Sequence, residues 1–175
     1  LMAQAEVRGI ALADVGSVLR FVLGLAVVVE ASATVVLTWR IMAIGEPFGQ
    51  ALWHAAFHAG AAFTNAGFSN YSAGFTVFAA DVFAQNSIVI AVIIGGLGMP
   101  VLHDLRRRGK CHWSLHTRLT VMGSVGLLVL GTMGFLLFEW DNGATLGGMD
   151  VLHKVSNALF HSVDARSCGL NTVDN

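Results

Sequence analysis

The sequence predicts an all-α membrane protein made of repeated helix–pore loop–helix units, in which short re-entrant helices cross half of the membrane. Hydrophobic residues make up 55% of the 175 residues and charged residues 12%, a balance far from that of a soluble domain. Several apolar segments are long enough to cross a bilayer. Between them, a short apolar helix pattern that stops at a polar, glycine-centred turn occurs twice. These features together predict a membrane protein with two pore loops.

Three segments have the length of about 20 apolar residues that a helix needs to cross a hydrocarbon core of about 30 Å. They run from about residue 15 to 44, from 83 to 102 and from 119 to 138. Glycines recur in the third segment, which suits close helix packing in lipid. The glycines that precede Pro100 in the second segment either serve the same purpose or mark a bend.

The charge distribution predicts how these segments are oriented. Five basic residues cluster in and beside the connection between the second and third spans: Arg106, Arg107, Arg108, Lys110 and Arg118. Under the positive-inside rule the loop 103–118 is cytoplasmic, so residues 45–50 and 141–150 are external. The predicted division is an N-terminal cytoplasmic segment (1–14), a complete membrane–pore–membrane unit (15–105), a cytoplasmic basic connection (106–114) and a second unit truncated after its filter (115–175).

The two candidate pore loops occupy residues 57–69 and 160–171. Each is predicted to be a short helix, over about 50–63 and about 150–165, that is followed by a glycine-centred turn. Irregular backbone at membrane depth is tolerated only where it lines a cavity or is covered by protein. Two copies, about a hundred residues apart, therefore favour a pore over ordinary polar turns between membrane helices.

The turns have the chemistry that a cation filter needs. Rings of backbone carbonyls can replace the water shell of a potassium ion. Gly67 and Gly169 lack a Cβ and can adopt conformations that aim carbonyls inward. The C-terminal end of each short helix carries partial negative charge towards the same cavity. Asn65, Asn70 and Asn171 can hydrogen-bond behind the turns or tolerate unusual dihedral angles.

Glu30 stands in the middle of the first span. A carboxylate at that depth is costly unless it is paired or hydrogen-bonded. We therefore expect it to support the filter by contacting a pore-helix group or a polar neighbour, in preference to a direct role in transport.

The pore-loop residues resemble those of a known family. Residues 63–69, Phe-Thr-Asn-Ala-Gly-Phe-Ser, resemble the second pore loop of the Trk/Ktr/HKT superfamily of potassium transporters, where Asn-Ala-Gly-Phe is typical. Residues 165–174 resemble the third loop, which usually reads Arg-Thr-Ala-Gly-Phe-Asn-Thr-Val-Asp. Residues 95–102 and 115–118 resemble the runs that end one helix and open the next. Cys168 and Leu170 depart from the usual Ala and Phe, which alters the expected packing around the third filter glycine.

The resemblance implies a potassium filter made of backbone carbonyls. Its residues would be Thr64, Asn65, Ala66, Gly67 and Phe68 in one turn and Ser167, Cys168, Gly169 and Leu170 in the other. Arg166, at the end of the second pore helix, and Asn171 would support the filter, and the alternative for Arg166 is an interfacial arginine that snorkels to water.

The resemblance also implies what accompanies the chain. Family members carry four units around one pore, so residues 1–175 would be a fragment with the second unit and most of the third. We expect the remaining pore-forming units, a homodimer, a cytoplasmic nucleotide-binding regulatory ring (KtrA/TrkA-like), membrane lipid and a cell-membrane location. K⁺ would be the transported ion, and we expect no enzymatic activity, no cofactor and no nucleic acid partner.

Two other function classes remain open. His54 and His58, and likewise His112 and His116, stand at the i, i+4 spacing that places two imidazoles on one helix face, which would suit a haem or metal-binding membrane protein. The sequence contains neither His-Glu-x-x-His nor Gly-x-Ser-x-Gly to support an enzyme. The other alternative is a non-conducting assembly or regulatory fragment of a transporter.

Overall fold

The computed structural model describes residues 2–72, 74–107, 113–143 and 145–167, with side chains from residue 16 onward except those of Arg107 and Ser167. This part of the chain is helical, with no strand, and the all-α prediction is confirmed. The helices are α1 (Met2–Ala43), α2 (Phe48–Phe63), α3 (Val82–Gly96), α4 (Met99–Arg107), α5 (Leu115–Glu139) and α6 (Val151–Ser167), with a 3₁₀ turn at Thr76–Phe78.

Two helices are long and apolar enough to span a membrane, over Gly16–Ala43 in α1 and over the whole of α5. The predicted second span is not one straight helix. It breaks after Gly96, and α4 leaves α3 at an angle of 95°. Gly98 takes φ = +80° at the break, and Pro100 follows in the first turn of α4, where a missing N–H costs nothing. Of the two roles left open for these glycines, the bend is found.

The helices α1 and α3 run antiparallel. Arg40, near the end of α1, forms an ion pair with Asp81, whose Oδ1 accepts hydrogen bonds from the first amides of α3 at 3.1 Å. We call this side of the bundle the Arg40 end. At the other side, the Phe21 end, the guanidinium of Arg106 in α4 lies 4.6 Å from the ring centroid of Phe21 in α1.

The helices α5 and α6 repeat this up-and-down course. Asp104 of α4 accepts hydrogen bonds from the Ser114 amide and the Thr117 hydroxyl, both at 2.8 Å, so α5 starts at the Phe21 end. Its last turn reaches the Arg40 end, where Lys154 of α6 donates to the carbonyl oxygen of Trp140 at 2.8 Å. The same ammonium lies 4.4 Å from the Trp140 ring centroid. Both short helices therefore start at the Arg40 end.

The core lies between α1, α2, α3 and α6. It consists mainly of Val29, Leu37, Ile41, Ala51, Ala55, Ala62, Phe75, Phe78, Ile88, Val92, Phe160 and Val163. The buried alanines of α2 recur every three or four residues, and such small side chains let helices approach closely. By contrast, none of the most apolar 18-residue stretch of α5 is buried. This helix leaves most of its apolar surface for lipid or other protein.

Candidate functional site

The first candidate pore loop is a hairpin of helix α2 and a mostly non-helical segment, residues 64–81, that we call the return arm. The helix ends with Asn65 in the left-handed region at φ = +54°. The Ala66 amide donates to Ala61 O at 2.9 Å and the Asn65 amide to Ala62 O at 3.1 Å. This pair of bonds is the Schellman motif, which ends a helix at a residue of positive φ. Asn65 serves in place of the more common glycine, as its predicted tolerance of unusual dihedral angles allows.

The return arm starts with the predicted filter turn. Gly67 takes φ = +68°, in the left-handed region that only glycine enters without steric cost. Thr64, Ala66 and Phe68 are exposed, whereas Asn65 and Gly67 are half-buried. This alternation in exposure shows that one side of the turn faces open space and the other side packs against the protein. The turn therefore has a free side that further pore-lining groups could face.

His58 contacts the buried side of the return arm through Ser69. It is fully buried, and its Nδ1 lies 2.7 Å from His54 O. Because a carbonyl can only accept, Nδ1 donates and Nε2 accepts from the Ser69 hydroxyl at 3.0 Å. The ring also stacks on Tyr71 at 5.4 Å. Burial lowers the pKa of His58, which agrees with a neutral ring in this arrangement.

In the middle of the return arm, Tyr71 contacts Glu46, which lies just before α2. The Tyr71 hydroxyl donates to Glu46 Oε1 at 3.0 Å, and the Tyr71 ring stacks on His54 at 4.6 Å. Burial, together with the neighbouring Glu46 carboxylate, raises the pKa of Tyr71. Tyr71 therefore stays a protonated donor, and the bond closes the hairpin at the Arg40 end.

The second candidate pore loop repeats the helix of the first. Phe160 and His161 meet edge to face at 6.2 Å and 80°, as Phe57 and His58 do at 5.9 Å and 82°. His161 stacks on Phe135 of α5 at 4.7 Å, and burial lowers its pKa against the opposing effect of the Glu139 charge. The similar ring geometry supports the interpretation of two related loops.

The side chains of Asn65, which follows the end of α2, and of Arg166, near the end of α6, both lie beside Gly96, the last residue of α3. A Cβ on Gly96 would lie 3.6 Å from Asn65 Oδ1 and 3.7 Å from Arg166 Nη2. The structure thus brings Arg166, predicted to support the filter, next to the first filter turn. A guanidinium therefore lies close to the end of α2, which carries partial negative charge.

The remaining predicted site residues are not brought to this point. Ser167 ends α6, and Cys168, Gly169, Leu170 and Asn171 lie outside the described residues. Glu30 is half-buried on α1, on the side that also carries the buried Leu37 and Ile41. The described part of the chain gives it no hydrogen-bond or ion-pair partner, so the expected contact with a pore-helix group is not found there.

Sequence reasoning missed a buried polar cluster made of Gln85, Ser156 and Asn157. Gln85 and Asn157 are fully buried, and their side chains bond to each other at 2.9 Å. The sequence shows amide side chains in both helices, but a single sequence does not show that Gln85 and Asn157 meet.

The histidines that stand four residues apart do not form a metal site in the described part of the chain. Both ring nitrogens of His58 bond to protein groups, so His58 has no free nitrogen to pair with His54 on a metal. His112 lies outside the described residues, and within them no three His, Cys, Asp or Glu side chains group together.

Comparison with known proteins shows the family of the chain. A family model, TrkH, described as a cation transport protein, matches residues 1–175. The chain is 33% identical over 157 residues to the Ktr system potassium uptake protein B of Vibrio alginolyticus, a match that covers 85% of this chain and 33% of that protein. It is 34% identical over 125 residues to the protein of the same name from Bacillus subtilis strain 168, covering 70% of this chain and 28% of the relative.

A third relative, the Ktr system potassium uptake protein D of Bacillus subtilis strain 168, is 27% identical over 135 residues, with 74% of this chain and 29% of that protein covered. The chain thus spans roughly a third of the length of the curated relatives it matches. The resemblance first seen in the pore-loop motifs is confirmed by these matches. This multi-pass protein of the cell membrane belongs to the TrkH family of cation transport proteins.

Proposed function

We propose that the chain forms part of a potassium uptake pore whose filter is made of backbone carbonyls in the turns 64–68 and 167–170. The observation that carries the proposal is that Asn65, at the end of α2, and Arg166, near the end of α6, place their side chains beside the same residue, Gly96. Helix C-termini favour a nearby cation. The relatives are named potassium uptake proteins, which supports potassium as the cation.

The geometry of the first turn supports this function. Positive φ at Asn65 and Gly67 reverses the chain direction within a few residues, as a turn that presents backbone carbonyls to an ion must do. His58 and Ser69 hold the far side of the turn, so ion binding would need little reorganisation. A pre-formed ring of carbonyl oxygens is what a dehydrating potassium ion requires.

Further pore-forming units would complete the ring of carbonyl oxygens by packing against the exposed side of residues 64–68. They would also cover α5, whose apolar surface is largely exposed. By the same family relation we infer a homodimer and a cytoplasmic nucleotide-binding regulatory ring, which would sit at the Phe21 end beside the basic connection. The chain would act as a transporter component and not as an enzyme, with K⁺ as its substrate.

The test is uptake by the full-length transporter that contains residues 1–175, produced in a bacterial strain without its own potassium uptake systems. Wild-type protein should restore growth at low potassium and take up rubidium, a potassium tracer. Gly67→Val should abolish uptake at an unchanged membrane level, because a β-branched residue resists positive φ. Gly60→Ala is the control, since a Cβ there has no neighbour within 4 Å.

Normal, still selective uptake by Gly67→Val would mean that this turn does not coordinate the ion. A wild-type protein that reaches the membrane and takes up no potassium would instead favour the non-conducting assembly or regulatory role.

A further inference from the structure

A polar cluster joins the two candidate pore loops at the Arg40 end. Gln85 of α3 and Asn157 of α6 are fully buried, and Ser156 is 6% exposed. These residues sit on the face where α6 packs against α3 and against the return arm of the first loop. We call Gln85, Ser156 and Asn157 the amide bridge.

Every polar atom of the two amides has a partner. Asn157 Nδ2 donates to Ala79 O of the return arm at 2.7 Å and to His153 O at 2.9 Å. Gln85 Nε2 donates to Asn157 Oδ1 at 2.9 Å and to Ala79 O at 2.8 Å. The Ser156 hydroxyl donates to Gln85 Oε1 at 2.7 Å. A fully satisfied buried network of this kind permits one arrangement of its helices and disfavours small displacements.

Two further contacts extend the amide bridge along the interface. Phe75 of the return arm stacks on Phe160 of α6 with ring centroids 5.6 Å apart and an interplanar angle of 1°. Nearer the Phe21 end, Arg166 and Asn65 lie side by side at Gly96. The two loops are therefore joined at three levels, and the last level is at the first filter turn.

The amide bridge is well placed to affect the filter from a distance. Asn157 and Arg166 are on the same helix, ~14 Å apart along its axis at 1.5 Å per residue. Because a helix is stiff over that length, a tilt or slide of α6 at Asn157 moves Arg166 relative to Asn65 and the first turn.

We propose that Gln85, Ser156 and Asn157 are positioning residues that set where Arg166 lies against the first candidate filter turn, and thereby the discrimination between potassium and sodium. This inference rests on the proposed function, because it assigns the amide bridge a role in the same pore. Discrimination depends on how well fixed carbonyls match the size of the ion. Loosening the bridge should therefore admit sodium before it stops potassium.

The experiment compares three variants of the full-length transporter by the ratio of potassium to sodium uptake, with membrane level measured in parallel. Asn157→Asp keeps the shape of the side chain but replaces the donor to Ala79 O by an acceptor. Ser156→Ala removes one hydrogen bond and adds no charge. Ser87→Ala is the matched control, because the Ser87 hydroxyl bonds only to Ala84 O within its own helix.

We expect the ratio to fall about twofold in Ser156→Ala and about tenfold in Asn157→Asp, as the loss of one hydrogen bond and of a buried donor would give, and to stay unchanged in Ser87→Ala. An unchanged ratio in Ser156→Ala and in Asn157→Asp overturns the inference, even if uptake of both ions falls in proportion, since that pattern reflects stability alone. If Asn157→Asp fails to accumulate, the ratio in Ser156→Ala decides. Absence of potassium uptake by the wild type is a different result, because it overturns the proposed function first and the inference with it.

Discussion

Gly95 of α3 packs directly against the carbonyl oxygen of Phe63, the last residue of α2. A Cβ built on Gly95 would overlap that oxygen. The same carbonyl accepts a hydrogen bond from Asn65 Nδ2 at 3.3 Å. Contact between two backbones leaves no side chain that could move aside, so the end of the first pore helix is fixed on α3 at this point.

Gly95→Ala should therefore destabilise the protein, whereas Gly96→Ala should not. Overpacking of this kind costs about 1–3 kcal/mol, and the atoms that would have to move belong to the backbone at the end of α2. A Cβ on Gly96 meets its neighbours at ordinary distances of 3.6 to 3.8 Å. Thermal unfolding of the two variants in detergent, followed by size-exclusion chromatography, measures the difference. Equal melting temperatures would show that the two helices are not in such close contact.

The sequence predicted the short helices well because their ends are encoded locally. The predicted helix over about 50–63 is found at Phe48–Phe63, and the one over about 150–165 at Val151–Ser167. Polar, glycine-containing turns end helices through their own backbone preferences. How deep these helices enter a membrane stays a prediction. The bend at Leu97–Gly98 was left open, since glycines in an apolar run suit packing and bending equally well.

The contacts that join the two loops could not be predicted from one sequence. Gln85 and Asn157 are 72 positions apart, and no local pattern pairs them. The spacing of His54 and His58 was informative, but both a ligand pair and a buried packing pair produce it. The structure places His58 among aromatic rings with both nitrogens bonded, a result that depends on the return arm and not on the helix.

The buried histidines should make stability depend on pH. Burial lowers the pKa of His58 and of His161 from 6.5. Below pH 6.5 the unfolded chain binds protons that the folded protein does not. The free energy of unfolding should therefore fall as the pH drops from 6.5 towards the lowered folded pKa values, by at most about 1.4 kcal/mol per pH unit for each histidine.

Unfolding of detergent-purified protein at several pH values between about 8 and 5.5 checks this. His58→Gln should make the dependence shallower, and the exposed His116→Gln is the control. A His58→Gln protein with an undiminished slope would assign the effect to other groups.

The orientation predicted from the basic residues can be tested by cysteine labelling. We expect Cys111 to be protected from a membrane-impermeant maleimide added to intact cells, because loop 103–118 should be cytoplasmic. In a Cys111→Ser background, Gly143→Cys should react, since residues 141–150 should be external. The Cys111→Ser protein alone is the control for background labelling. External labelling of Cys111 with no labelling at position 143 would reverse the whole arrangement.

Asp81 has two roles that can be separated by substitution. Its carboxylate caps α3 through the amides of Phe83 and Ala84 and forms an ion pair with Arg40. Asp81→Asn keeps the cap and loses the charge, which should cost less than about 1 kcal/mol. Asp81→Ala loses both and should cost about 1 kcal/mol more, the usual effect of a lost N-cap. Equal unfolding free energies for the two variants would mean that the cap contributes nothing.

The filter glycines should respond in a graded way to the size of the substituent. Gly67 takes φ = +68°, which a serine adopts only with strain of roughly 1–2 kcal/mol. Gly67→Ser should therefore loosen the position of one carbonyl ligand without closing the cavity. We expect discrimination between potassium and sodium to decline first, with potassium uptake still measurable. Gly169→Ser should act in the same direction if the two turns are equivalent. Paired uptake of potassium and sodium at matched membrane levels measures the effect, with Gly60→Ala as the control. Parallel loss of both ions in Gly67→Ser, with the ratio unchanged, would show that this turn supports folding and does not select the ion.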